Sequence, residues 1–180
     1  FDRTRDPYHS HVIYSDDHGA TWQLGGSVDV GTNECAIVET VAGALYINCR
    51  NYVGEQRRAV AWSYDQGLSF TALRWEETLV EPICQASLVR YDDQQILFAN
   101  PASTRREKLT VRLSADEGQR WPVAKALHAG PAAYSDLAVL PDLTICCLYE
   151  CGESHPYERL RLARFTLAWL SDGQDSSSLE

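Results

Sequence analysis

The amino-acid sequence predicts an all-β fold built from repeated blade-sized units, and three observations predict it. Short runs rich in β-branched and aromatic residues alternate with turn residues along most of the chain, with almost nothing at helical period. Brief Gly- or Asp-bearing turns join several of these runs, as in Val41-Ala42-Gly43, Tyr91-Asp92-Asp93 and Pro141-Asp142, which is the chemistry of consecutive antiparallel hairpins. One pattern, Ser-x-Asp-x-Gly-x-x-aromatic, occurs at residues 15–22, 63–70 and 114–121. The copies start about fifty residues apart, the size of one four-stranded propeller blade.

In chain order the expected strands are 11–14, 34–41, 44–50, 59–62, 85–91, 95–99, 109–113, 135–140, 144–149 and 160–170. In 44–50 alternation puts Tyr46, Asn48 and Arg50 on one face and Leu45, Ile47 and Cys49 on the other, so Arg50 is expected opposite the apolar set, towards a polar cavity. The run 160–170 is apolar enough for a helix. A strand is preferred because Phe165, Leu167 and Trp169 alternate with Thr166 and Ala168. Residues 1–170 are read as one domain and the polar stretch 171–180 as a frayed tail.

The repeated box has a mechanical reading. Its Asp carboxylate can accept backbone N–H groups across the turn, its Gly supplies a positive φ, and its aromatic plugs the hairpin end against its own blade. None of its residues is assigned to catalysis.

Bulk properties narrow the partners. Sixteen Lys and Arg against twenty-five Asp and Glu leave a net charge of −9, which argues against nucleic acid, whose phosphates demand clustered cations. No run reaches the roughly 20 apolar residues of a spanning helix. The six cysteines form no CxxC pair and no His stands at ligand spacing, so no metal or other cofactor is expected. Several lie in apolar runs and are read as reduced, buried thiols, Cys146-Cys147 as core packing. A start at Phe1 rather than Met reads as a fragment or a processed chain.

Between and after the boxes lie Asn33-Glu34-Cys35, Ile47-Asn48-Cys49-Arg50, Glu81-Pro82-Ile83-Cys84-Gln85-Ala86-Ser87, Ser103-Thr104-Arg105-Arg106-Glu107-Lys108-Leu109-Thr110, Ala133-Tyr134-Ser135-Asp136-Leu137 and Cys147-Leu148-Tyr149-Glu150. With these segments in this order the chain, from about residue 10 to residue 170, resembles the second half of a sialidase, a six-bladed Asp-box propeller that releases terminal sialic acids from glycoconjugates. Ala86 stands where many members have Gly, and the second box ends in Phe70 instead of Trp; neither change removes a chemical group.

The resemblance implies a site. Sialic acid carries a carboxylate on its anomeric carbon, so fixed arginines must hold it. Arg50 and Arg106 match two members of the family's triad, with Arg105 and Arg112 as nearby alternatives. Tyr134 matches the nucleophile: a carboxylate would be repelled by the substrate's anion, and sialidases use tyrosine. Glu34 is the candidate base for its proton, with Glu39 a competing acid on the opposite face, and Glu150 matches a carboxylate that buttresses the first arginine. That arginine and the aspartic general acid are expected upstream of this chain, and Asp2, Asp6 and Asp136 are not promoted to replace them.

The implied activity is retaining hydrolysis of terminal α-linked sialic acids. Trans-sialylation and glycan binding without chemistry are the alternatives. Sialylated glycans are the implied partners, and a secreted, periplasmic or lysosomal setting is the one family members imply. For each site residue the plainer reading is a half-buried strand tyrosine, a strand-edge carboxylate or a surface arginine.

Overall fold

In the computed structural model, which describes residues 8–53 and 56–173, twelve strands and one helical turn make three antiparallel sheets. The first pairs β1 (His11–Tyr14) with β2 (Gln23–Ser27). The second contains β3 (Thr32–Glu39), β4 (Leu45–Asn51), β5 (Arg57–Ser63) and β6 (Arg74–Val80) in sequence order. The third contains β7 (Ser87–Arg90), β8 (Ile96–Pro101), β9 (Glu107–Ser114), β10 (Val123–Val139), β11 (Ile145–Cys151) and β12 (Arg159–Phe165). A single helical turn, α1 (Leu167–Leu170), follows.

Three apolar layers hold these units face to face. Val28, Ile47, Cys49, Ala59 and Ala61, with Val12, lie between the first and second sheets. Tyr46, Val60, Trp62, Leu79, Leu88, Phe98 and Trp121 lie between the second and third. The third layer, including Leu97, Val111, Leu137, Ile145 and Cys147, joins the two halves of the six-stranded sheet. A central strand such as β4 is therefore buried on both faces. The alternation expected of β4 holds, with Tyr46 in one layer and Ile47 and Cys49 in the other, but its exposure is corrected: Asn48 is as buried as its neighbours, and Arg50, one residue from the strand's end, is partly exposed.

The seventeen-residue β10 links two units. Val123 to Pro131 pair with β9, and Ala132 to Val139 pair with β11. The change of partner falls at Pro131, which has no N–H to offer a ladder. Here the neighbouring loops take over, with Ala132 N donating to Arg106 O (2.9 Å) and Gly152 N to Pro131 O (3.0 Å).

All three boxes close as the sequence suggests, at the β1–β2, β5–β6 and β9–β10 turns. In the second, Ser69 N donates to Asp65 Oδ1 (2.9 Å) and Gly67 N to Ser63 Oγ (2.8 Å), and the first and third repeat these bonds. Gly19, Gly67 and Gly118 have φ near +85° (+87°, +89° and +82°). The aromatic plug holds for Trp121, which is buried between Phe98 of its own sheet and Tyr46 of the one before (5.6 and 6.4 Å between ring centroids). It fails for Trp22, which is 60% exposed.

Further corrections concern strand content and the C-terminal segment. β2 and β6 and the first half of β10 were not expected, and residues 167–170 are a helical turn capped by the Thr166 hydroxyl rather than strand. Leu170 and Ser171 are buried, so the ordered unit extends past residue 170. The remaining expected tail, 174–180, and Asp2 and Asp6 lie outside the described residues.

Candidate active site

Strand direction gathers the site at one end of the sheets. β4 runs away from the Thr40–Ala44 turn, so Arg50 at its end meets Glu34 near the start of β3; the boxes close the opposite end. Tyr134 lies just past the partner switch in β10, and Glu150 lies near the end of the adjacent β11.

Three side chains form one hydrogen-bonded triangle. Tyr134 Oη donates to Glu34 Oε1 at 2.6 Å, while Arg50 Nη1 donates to Glu34 Oε2 at 2.6 Å and to Tyr134 Oη at 3.2 Å. Glu34 and Tyr134 are a hundred residues apart in sequence. Burial alone pushes the Glu34 carboxyl up, but the Tyr134 hydroxyl and the Arg50 guanidinium together hold it below the ordinary glutamate value. Burial, then the adjoining carboxylate, raises the Tyr134 phenol above its ordinary value. The resting arrangement is thus a neutral phenol donating to a charged carboxylate.

Arg106 completes the group. Its guanidinium carbon is 5.7 Å from the Tyr134 ring centroid and 5.9 Å from that of Tyr157, with Nη1 bonded to Tyr157 Oη and Nη2 to Ile83 O at 3.3 Å. The alternatives do not reach this place: Arg105 is exposed and paired with Glu107, and Arg112 is directed from mid-strand in β9, opposite Phe98 and Ala124. Glu39 is exposed at the far end of β3. Glu150 accepts the Tyr134 backbone N–H at 3.0 Å and lines, with Tyr134, Asp136, Gln85 and Leu148, a cavity of about 290 Å³.

A supporting layer escaped the sequence reading, although its segment, 81–87, was singled out there. Gln85 bonds both backbone groups of Ser135, next to Tyr134. Ile83 adopts φ +56°, rare for a β-branched residue, and so presents its carbonyl to Arg106. Beneath it Arg58, with no exposed side-chain surface, donates to Glu81 Oε2 (2.7 Å), Cys84 O (2.7 Å) and Asn48 Oδ1 (2.6 Å). Glu81 in turn accepts the Asn51 backbone N–H beside Arg50. These contacts span 10 to 50 residues, and only the run of polar groups in an otherwise apolar connection hinted at them.

Comparison with known proteins follows the same lines. A family model described as a BNR repeat-like domain matches residues 2–147. Over 168 residues the chain is 40% identical to a sialidase of Micromonospora viridifaciens, covering 88% of this chain and 25% of that protein. Among solved structures it is similar to the Hadza microbial sialidase Hz136 (TM-score 0.78, 29% identity, 90% of this chain and 33% of that one). It is also similar to the intramolecular trans-sialidase of Ruminococcus gnavus (TM-score 0.75, 25% identity, 88% and 38%).

The fold is of the β-propeller type, an arc of stacked antiparallel sheets. The chain belongs to the sialidase family with BNR repeats. It spans between a quarter and about half of the length of the curated relatives it matches.

Proposed function

We propose that this chain is the C-terminal half of a six-bladed, retaining exo-sialidase and carries its nucleophile, its base and two of its carboxylate-binding arginines. The observation that supports this most is the Tyr134–Glu34 bond of 2.6 Å with Arg50 Nη1 against both partners.

Glu34 takes the phenol proton as Tyr134 Oη bonds to the anomeric carbon, and the leaving oxygen collects a proton from an acid outside this chain. Water, losing a proton to the now deprotonated acid outside this chain, then attacks the same carbon, and the departing phenolate regains its proton from Glu34. Two displacements on one carbon retain configuration. Arg50 touches the negative charge before and after the proton moves, so its transfer from tyrosine to glutamate leaves the ion pair intact. Arg106, stacked on the Tyr134 ring, stabilises the phenolate and keeps several of its five N–H donors for the substrate carboxylate. Glu150 fixes the backbone of the nucleophile, and the buttress to a first arginine, expected from the family, remains available to its other oxygen.

The test is release of fluorophore from an aryl sialoside by the protein with its upstream blades present. Loss of turnover in Tyr134→Phe with retained sialoside binding is expected. Undiminished turnover in that variant overturns the nucleophile assignment, and binding without turnover in the wild type favours a glycan-binding module. Formation of an anhydro-sugar, with no free sialic acid, would make the protein an intramolecular trans-sialidase, the activity named for the R. gnavus neighbour.

A further inference from the structure

Cys35 and Cys49 are directly opposite each other across β3 and β4, one residue after Glu34 and one before Arg50. Counting back from the Thr40 N–H to Ala44 O bond makes theirs a non-hydrogen-bonded pair. Such pairs bring Cα atoms to about 4.5 Å, within the range of roughly 4.4–6.8 Å that a disulfide spans. The two side chains are cross-strand neighbours on the same face of the sheet, and the Cys49 thiol is the strongest influence on that of Cys35. None of the other described cysteines faces a second one: Cys146, Cys147 and Cys151 pair with Ala138, Leu137 and Ala132, and Cys84 lies between strands.

The pair is asymmetric. Cys49 is fully buried, whereas Cys35 is exposed, against the expectation of buried thiols, and opens on a cavity of about 320 Å³ shared with His11, Ile37, Ile47 and Gln66. We propose that Cys35 and Cys49 are a thiol–disulfide exchange site for small disulfides of the glutathione type, with Cys35 as the attacking and Cys49 as the resolving thiol.

Electrostatics favour that division of labour. The Cys49 thiol, then the Ser10 hydroxyl, Arg58 and His11, lower the Cys35 thiol to about 6 against the effect of burial. The neighbouring Cys35 sulfur, then burial, raise the Cys49 thiol. The Cys35 thiolate attacks one sulfur of the small disulfide, forming a mixed disulfide and expelling one thiolate. Cys49 then gives its proton to water and attacks the Cys35 sulfur, expelling the second thiolate. Two protein thiols are oxidised and one small disulfide is reduced to two thiols. The exchange draws on none of the sialidase chemistry.

The test is exposure of the folded chain to oxidised glutathione, followed by acid quench, alkylation and peptide mapping. Expected are a single Cys35–Cys49 cross-link that dithiothreitol reverses, arrest at a Cys35–glutathione adduct in Cys49→Ser, and no cross-link or adduct in Cys35→Ser. Full alkylation of both thiols while circular dichroism shows an intact fold overturns the proposal. So does a persistent Cys35 adduct in the wild type, or faster modification of any other cysteine.

Discussion

Gln85 grips Ser135 by both backbone groups: its Nε2 donates to Ser135 O at 3.0 Å, and its Oε1 accepts from Ser135 N at 3.1 Å. An amide used in this way mimics a strand neighbour for one residue, and that residue adjoins Tyr134. Replacing it with Gln85→Leu keeps the volume and removes both bonds. Turnover of a sialoside should fall by about tenfold to a hundredfold, the scale expected when a reacting group loses its alignment. Steady-state kinetics should show the loss in kcat rather than in KM.

The charge on Glu34 sets an acid limit. A base whose folded pKa lies below the ordinary 4.5 remains ionised above that value and is protonated only as pH falls through the lower one. The acid limb of kcat/KM, read in a pH–rate profile, is therefore expected below 4.5. Tyr134, raised above 10, keeps its proton throughout the neutral range and contributes no basic limb there. Glu34→Gln should abolish the acid limb along with most of the activity, a loss of about 10²–10⁴ for a general base.

Arg58 and Glu81 form a fully buried pair. Removing one partner leaves the other charged in an apolar layer, so Arg58→Met or Glu81→Leu alone should cost about 3–5 kcal/mol in urea unfolding. The double substitution should recover much of that stability while still impairing turnover, because Cys84 O and the Asn51 N–H lose their partners beside the site.

Two glycines separate strain from crowding. Gly43 has φ +80° with nothing within 4 Å of an added Cβ, so Gly43→Ala carries backbone strain alone, about 1–2 kcal/mol. Gly118 has φ +82°, and its Cβ would meet the Tyr46 ring at 3.1 Å. Gly118→Ala should destabilise more than Gly43→Ala in the same denaturation experiment. It should also perturb the aromatic signals of Tyr46 and Trp121.

What the sequence discloses is local. The boxes declare themselves because each is closed by groups within a few residues, as Asp65 and Ser69 are. A buried strand such as β8 discloses itself by its continuous apolar run, Ile96 to Ala99. Edge strands do not: β6, Arg-Trp-Glu-Glu-Thr-Leu-Val, is half exposed and carries no alternation, and β2 contains Gly25 and Gly26. The first half of β10, with Ala124, Lys125, Ala126 and Leu127, has the composition of a helix and becomes strand by pairing with β9.

The site divides in the same way. Glu34, Arg50, Arg106, Tyr134 and Glu150 are visible only through resemblance, since each alone is an ordinary strand residue. Gln85, Ile83, Arg58 and Tyr157 are visible only in three dimensions, because their partners are chosen by the stacking of sheets rather than by sequence neighbours.

The shared β10 has a consequence for how the molecule opens. Units joined by loops can melt one at a time, but a continuous strand that is the last member of one ladder and the first of the next cannot detach from either without exposing amides in both. Residues 123–139 should exchange their amide hydrogens as one slow block, and the two halves of that sheet should unfold as one cooperative unit rather than as separate repeats.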